Sequence, residues 1–315
     1  MKPQFDHKVQ SSFYLWFDDR LTRYWEAVES GISQTFYYSD LGVDIPSNQV
    51  AYYSADRQLV ANGLSVPTGV WVSGILDDAG DPLDYTFVGQ TTGQPLTENP
   101  TGLMVDFDQG RVIMGTGITT GDSSALSITG GFDRKAFNVY MTNETEEQLL
   151  LNSDFIIADQ SDETFLQNVT GLGTPNYTLP AAFISYNASF NKPFAFGGMQ
   201  DTRSNIRVVT VSEDNYEIDG VLSLFRDSSE VCVPLVNFED FPFGEYFHLK
   251  NPPYTYSGLY DNLMSAQGAK YAFIEKVTCS KLYDRTYSQL SPNLKVGFID
   301  FQVSTPRFPK IELTE

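Results

Sequence analysis

Residues 206–225 read Ile-Arg-Val-Val-Thr-Val-Ser-Glu-Asp-Asn-Tyr-Glu-Ile-Asp-Gly-Val-Leu-Ser-Leu-Phe. The spacing of the apolar residues changes within this stretch and divides it into two elements. The run 206–211 is short and mostly apolar, which predicts a β-strand. Helical spacing follows it and predicts a short α-helix that ends near Asp227. The residues with that spacing are Tyr216, Ile218, Val221, Leu222 and Phe225. A strand followed by a helix in this part of the chain indicates an α+β unit.

Strands are predicted on both sides of this unit. They lie at residues 180–186, 272–279 and 295–304. In the last of them the apolar residues face one side and Asp300 and Gln302 face the other, as expected of a half-buried closing strand. Residues 144–151 mix polar and apolar types, so that a short helix and the entry to a strand both remain open.

One long helix is predicted near the N-terminus. Ser11 and Ser12 are suitable N-cap residues, and Gly31 is a suitable end. Between them, apolar residues recur at spacings of four, four, three and four, which is one face of a helix. These residues are Phe13, Phe17, Leu21, Tyr24 and Val28. Trp16 and Trp25 widen the apolar face enough for it to dock on a sheet or on a neighbouring subunit.

Residues 42–140 contain short apolar runs separated by turn residues, a pattern typical of a β-sandwich or barrel. Strands are predicted at residues 69–72, 103–107 and 111–114. The last two are joined by a turn at 108–110 and form a hairpin. Residues 106–110 resemble the start of a calcium-binding loop, but the strand that follows the glycine departs from that pattern. A hairpin turn is therefore the preferred interpretation.

The whole sequence predicts a mainly β protein with an α+β portion. We expect an N-terminal helix and linker in residues 1–41 and a β-sandwich or barrel module in residues 42–140. An α+β module is expected in residues 141–315, including an aromatic loop at 238–260.

The aromatic loop holds three prolines and eight Phe or Tyr residues. A loop this apolar is expected to pack on something, either another subunit or the sheet of its own chain. The side chains expected to make contacts between subunits are Trp16, Trp25, Phe241, Phe243, Tyr246, Tyr254 and Tyr256. The alternative for each is a place in the core of this chain, and for the helix that alternative is preferred.

The chain has a formal net charge of −20, and about half of it lies between Arg23 and Arg111. That segment has twelve carboxylates and one basic residue, Arg57. Because binding to phosphate requires cations, this segment does not attract nucleic acid. Its surface repels DNA, binds cations or keeps the protein soluble.

Residues for catalysis are scarce. The histidines are His7 and His248, the cysteines are Cys232 and Cys279, and no phosphate loop or nucleophile elbow is present. The sequence therefore predicts no catalytic, cofactor-binding or metal-binding residues, no enzymatic activity and two reduced cysteines. No run approaches the roughly 18 apolar residues of a membrane span, so no membrane partner is expected.

Several acidic pairs occur, as in a glycosidase, but forty acidic residues produce such pairs by chance. They include Asp18-Asp19, Asp77-Asp78, Asp106 with Asp108, and Glu146-Glu147. Arg203 and Arg207 are expected to pair with carboxylates of a neighbouring strand or subunit, and not with phosphate.

Several segments together resemble structural proteins of tailed bacteriophages. They are residues 12–21, 67–74, 103–112, 192–200 and 296–303. The second half is similar in element order to neck-region and tail-terminator subunits, in which a small α/β unit assembles into a ring at the joint between head and tail.

The resemblance implies a non-enzymatic virion subunit of a neck, a head–tail connector or a tail-terminator ring. It implies a six- or twelve-fold ring with other virion proteins as neighbours, assembled in the host cytoplasm, with DNA passing through without specific binding. The carboxylates would line the channel or face outward. The alternatives are a baseplate, fibre or decoration protein that binds a receptor or glycan and, ranked lower, a hydrolase with a carboxylate pair.

Overall fold

A computed structural model describes most of the second half of the chain and parts of the first half. The described residues are 5–24, 29–38, 49–53, 58–61, 86–87, 102–115, 127–152, 154–157, 176–194, 198–244, 247–250, 254–266, 270–282 and 294–308. Trp25, Val28, Tyr246 and the strand predicted at 69–72 lie outside them.

The described α-helices are α1 (Phe5–Tyr24), α2 (Glu146–Asn152), α3 (Asn215–Arg226) and α4 (Tyr256–Ser265). The first six strands are β1 (Glu29–Tyr38), β2 (Gln49–Tyr53), β3 (Thr86–Phe87), β4 (Gly102–Asp106), β5 (Arg111–Gly115) and β6 (Ser127–Arg134). The others are β7 (Asn138–Thr142), β8 (Asp154–Ile157), β9 (Asn176–Leu179), β10 (Ala181–Pro193), β11 (Gln200–Ser212), β12 (Cys232–Pro234), β13 (Tyr271–Lys281) and β14 (Lys295–Arg307).

Within the described ranges, the strands form two six-stranded sheets and one parallel pair, β8 with β9. Sheet 1 has the order β3-β4-β5-β2-β1-β6, and sheet 2 has the order β12-β13-β14-β11-β10-β7. Sheet 2 is antiparallel except for the pairing of β7 with β10. The prediction of a sheet-rich protein with an N-terminal helix is confirmed.

Local patterns located most elements of sheet 2 correctly. β11 is followed by α3, which buries the predicted apolar face and begins with an N-cap at Asp214. In β14 the residues Ile299, Phe301 and Val303 are buried, whereas Asp300 and Gln302 are partly exposed, as predicted. The expectation of a half-buried closing strand is wrong, because β14 lies between β13 and β11 and also buries Val296 and Phe298 on its other face. For residues 144–151, where the sequence was compatible with a short helix or the entry to a strand, the structure shows the helix α2. The β4–β5 hairpin is confirmed, with Gly110 at a positive φ of 60° in its turn.

The prediction that Ser11 and Ser12 cap the first helix is wrong. The helix begins at Phe5, so both serines lie in its interior, and it ends at Tyr24. The Ser12 hydroxyl donates to the carbonyl of Lys8 at 2.7 Å and accepts from the amide of Val236 at 2.8 Å. The Ser12 hydroxyl therefore makes a tertiary hydrogen bond and does not cap the helix. Gly31 does not end the helix, because it lies in β1.

Sheet 2 is apolar on both faces. Ile206 and Val208 of β11 belong to a large buried cluster that includes the apolar faces of α1 and α3. Val209 and Val211 belong to a second cluster on the opposite face, where α2 contributes Leu149. This alternation is the period of two that a strand imposes on its side chains.

The centre of the large cluster is aromatic. The rings of Phe17 and Phe225 are stacked with centroids 4.0 Å apart, and the ring of Phe13 lies 4.8 Å from that of Phe301. All four side chains are at most 1% exposed. Three apolar side chains of sheet 1 and its hairpin turn join the same cluster, namely Val105, Phe107 and Val112.

We expect Phe225→Ala to lower the free energy of unfolding by about 3–5 kcal/mol, because it removes the stacked partner of Phe17 and leaves a cavity. Tyr216→Ala in the same helix is the matched control. Tyr216 is 79% exposed, so its replacement is expected to change stability by less than about 0.5 kcal/mol. Denaturant unfolding of both variants measures the difference, and equal losses would contradict this description of the core.

Candidate functional site

The aromatic side chains expected to contact another subunit lie mostly in the core of this chain. Trp16, Phe243 and Tyr256 are at most 7% exposed, and Phe241 and Tyr254 pack against the same cluster. For Trp16 the preferred alternative, a place in the core, is confirmed, whereas the prediction of contacts between subunits through Phe243 and Tyr256 is wrong. The aromatic loop folds back over its own chain, which was the alternative.

Helix α4 was missed, because its first turn was assigned to the aromatic loop. Thr255 is its N-cap, and the threonine hydroxyl accepts from the amide of Gly258 at 3.2 Å. The available signal was this threonine followed by apolar residues at helical spacing, Tyr256, Leu259, Tyr260 and Leu263.

The first candidate surface is the far end of β10. We call residues 187–194 the arm, and all of them are exposed. Strand β7 pairs with β10 only at residues 181–185. Among the described residues, the outer edge of the arm therefore has no strand partner. Phe190 is 51% exposed and Phe194 is 62% exposed.

One face of the arm packs on the start of α1. Ser189 donates to the carboxylate of Asp6 at 3.4 Å, and the hydroxyl of the preceding Tyr186 donates to the same carboxylate at 2.8 Å. Phe190 follows Ser189 and therefore points to the opposite face, where it stands across from Arg203. The exposed aromatic ring thus lies on the face of the arm that the helix does not cover.

Other exposed apolar residues lie at the same end of sheet 2. Phe308 follows the last residue of β14, which pairs with Gln200, and is 41% exposed. Four of the seven large apolar side chains that are exposed in the described part of the chain, Phe190, Phe194, Tyr271 and Phe308, lie at this end. The arm contains Lys192 and no acidic residue, in a chain of net charge −20. The arm is thus aromatic and weakly basic on an acidic protein.

The second candidate surface is a cleft of about 290 Å³ between α1, α4 and the start of β12. Trp16, Tyr256 and Tyr260 contribute aromatic rings to it, and Cys232 lies at its side. Its charged residues are Asp19, Arg20, Arg23 and Asp261.

The polar groups of this cleft differ in the contacts that they make. Arg23 pairs with Asp19 at 3.0 Å, and the guanidinium of Arg20 lies 5.9 Å from the ring centroid of Trp16. Burial raises the pKa of Asp19, although Arg23 opposes the shift. The hydroxyl of Tyr256 is buried and has no hydrogen-bond partner within the described residues. Burial and the nearby Asp19 raise the pKa of Tyr256 well above its ordinary value.

Arg203 and Arg207 pair with carboxylates of neighbouring elements, as predicted. Arg207 contacts both Glu146 and Asp300 at 2.7 Å, and its hydrogen bond to Asp300 raises the pKa of the guanidinium. Arg203 contacts Asp201 at 3.1 Å and Glu275 at 3.2 Å. A second cleft of about 250 Å³ lies beside Arg207 and Glu146. Because its guanidinium is held by two carboxylates, we assign Arg207 a structural role.

The turn that resembled a calcium loop is part of a buried polar network. Asp106 accepts from Arg111 at 2.7 Å and from the amide of Gln109 at 3.0 Å. Asp108 accepts from Gln58 at 2.9 Å, and Gln58 also accepts from the amide of Val139 at 2.7 Å. The interpretation as a hairpin turn is confirmed, since both carboxylates are used within the chain.

The same network links α1 to the two sheets. Lys135 follows β6 and donates to Asp18 of α1 at 2.7 Å and to Gln58 at 3.4 Å. Because Gln58 also bonds β7 and the hairpin turn, one set of side chains ties the helix to sheet 1 and sheet 2. Burial raises the pKa of Asp106 to about 7, and Arg111 only partly offsets that effect.

The raised pKa of Asp106 predicts how stability depends on pH. In the folded protein burial raises the pKa of this carboxyl to about 7 against the opposing effect of Arg111, whereas in the unfolded chain it titrates near its ordinary pKa of 3.8. The folded state binds more protons in between, so the free energy of unfolding decreases as the pH rises from about 4 to about 7. The slope from this group is at most about 1.4 kcal/mol per pH unit.

Asp106→Asn is expected to flatten this dependence, because the amide does not titrate. Denaturant unfolding at a series of pH values between about 4 and 7.5 measures the slope, and Glu147→Gln at an exposed site is the control. Identical slopes for the wild type and Asp106→Asn would show that Asp106 titrates at its ordinary pKa.

The remaining features of the described residues add no reactive centre. No group of three or more His, Cys, Asp or Glu within them could hold a metal ion. None of the described helices is long and apolar enough to cross a bilayer. Cys232 and Cys279 are free, half-buried thiols.

Comparison with known proteins does not identify a relative. No family model matches the sequence, and no curated protein matches it.

Proposed function

We propose that this chain is a non-enzymatic structural subunit of a tailed-bacteriophage virion, in the neck, head–tail connector or tail-terminator ring. It acts through contacts with copies of itself and with other virion proteins. It is made in the host cytoplasm and assembled into a six- or twelve-fold ring, through which DNA passes without specific binding.

The observation that supports this proposal is the arm. Among the described residues its outer edge has no strand partner, and natural sheets usually cover or interrupt such an edge. Lys192 and Pro193 restrict pairing at one end, which leaves residues 187–191 to receive a strand. A strand added there gains backbone hydrogen bonds, and Phe190 supplies an apolar anchor beside them.

The arm also fits a head-to-tail contact. An arm on one copy and a different receiving surface on the next copy form a heterologous interface, which closes into a ring when the rotation permits. Electrostatic attraction favours a second copy of this chain as the partner that binds the arm. The arm has one lysine and no acidic residue, whereas the whole chain has a net charge of −20. Complementary charges of this kind accelerate association and fix its register.

The two sheets fit the same proposal at the level of domains. We infer that sheet 1 forms a β-sandwich or barrel module and that residues 141–315, together with the start of β7, form an α+β module. Carboxylates of the 42–140 module would then face either the channel or the outside of the ring, and both placements avoid adhesion to DNA.

Replacement of two arm residues, Phe190→Ser with Phe194→Ser, is expected to abolish the ring. The loss of two exposed aromatic anchors should weaken self-association by at least about 100-fold. Light scattering and negative-stain electron microscopy measure the assembly, and circular dichroism checks the fold. Phe238→Ser is the matched control, because Phe238 is 70% exposed and lies outside the arm.

Two results would contradict the proposal. One is a wild-type protein that stays monomeric at the highest concentration attainable. The other is a ring that persists unchanged in the folded double variant.

A further inference from the structure

The pairing of β10 with β11 shifts by one residue at the base of the arm. Tyr186 pairs with Ile206 and Ala188 pairs with Asn205, so that Asn187 is an extra residue in the ladder. A bulge of this kind interrupts a ladder and re-aims the side chains that follow it. The bulge therefore decides which side chains of the arm face α1.

A buried hydroxyl favours the arrangement with the bulge. Thr202 is 1% exposed, and its hydroxyl donates to the side-chain oxygen of Asn191 in the arm at 2.6 Å. The same hydroxyl accepts from Arg307 at 2.8 Å. The guanidinium of Arg307 lies 3.7 Å from the ring centroid of Phe5, in the first turn of α1. The hydroxyl of Thr202 thus bonds the arm on the face of sheet 2 that α1 covers.

A ladder without the bulge is the competing arrangement. It would pair Asn187 with Asn205 and Phe190 with Thr202, one residue away from the observed partners. In the structure Phe190 stands opposite Arg203, on the face that α1 does not cover. The shift would turn the ring of Phe190 onto the hydroxyl of Thr202. Because that hydroxyl would lose its acceptor in the arm, the shifted arrangement costs free energy.

The first turn of α1 also contacts the arm directly. The carboxylate of Asp6 accepts from Ser189 at 3.4 Å and from Tyr186 at 2.8 Å. Because Tyr186 uses its only hydroxyl hydrogen for Asp6, the hydroxyl of Ser204, 2.9 Å away, donates to Tyr186. In the ladder without the bulge, Ala188 would take the place of Ser189, and Asp6 would lose one donor.

We propose that Thr202, supported by Asp6, fixes the register of the arm and so decides that Phe190 faces away from α1. Both are positioning residues, since they act through the arm and not through contact with a partner. The consequence for self-association rests on the proposed function, in which a second copy binds the arm beside Phe190. In the shifted register, the face away from α1 would carry Ser189 in place of Phe190.

The test is Thr202→Val, which keeps a β-branched side chain and removes the hydroxyl. NMR of the dilute, full-length protein identifies the register from amide-to-amide contacts between β10 and β11. The wild type should keep Ser189 opposite Ser204. In the variant, the register with Ser189 opposite Arg203 should become the major one. At higher concentration, light scattering should then show about tenfold weaker self-association of the variant.

Three further variants make the comparison specific. Thr210→Val removes a buried hydroxyl at the other end of β11, where it donates to the carbonyl of Gly297 at 3.1 Å, and should leave the register unchanged. Asp6→Ala should shift the register in the same direction as Thr202→Val. Asp6→Asn, whose amide oxygen still accepts from Tyr186, should keep the wild-type register.

Two results would overturn the proposal. One is an unshifted register in folded Thr202→Val, and the other is an equal shift in Thr210→Val. If Thr202→Val does not fold, an unshifted register in Asp6→Ala overturns the proposal instead. A wild type that never associates would contradict the proposed function, while the register measured on the monomer would still decide this inference.

Discussion

The packing of α1 against sheet 2 is the interaction on which the rest of this structure depends. Phe13 and Phe17 fill the space between Phe301 of the sheet and Phe225 of α3, with ring centroids as close as 4.0 Å. Two polar contacts fix the helix in place, Ser12 to the amide of Val236 and Asp18 to Lys135. Without the helix, one face of the sheet would expose a large apolar surface.

This packing determines which surfaces remain for partners. The aromatic face of α1 and most of the aromatic loop are used inside the chain, so they are not available to another subunit. Among the described residues, the arm and the cleft remain accessible. The arm is exposed because β7 ends at Thr142, before the second half of β10. The cleft exists because the start of α4 lies beside the last turns of α1 and the residues that lead into β12.

The sequence predicted those elements whose signal is local. The period of two in β14 and the helical spacing in α3 depend only on neighbouring residues, and both were located correctly. The start of α1 was misplaced because Ser12 looks like a cap, whereas its partner Val236 is 224 residues away. The arm and the cleft could not be predicted, since the exposure of Phe190 and the burial of Tyr256 depend on where distant elements end.

Amide hydrogen exchange on the dilute monomer and on the concentrated assembly tests this account most directly. We predict that amides of residues 13–21 exchange slowly in both samples, because α1 belongs to the core of each chain. Amides of residues 187–191 should exchange fast in the monomer and become protected only in the assembly. Fast exchange of α1 in the monomer, with protection gained on assembly, would contradict the account by making the helix the interface between subunits.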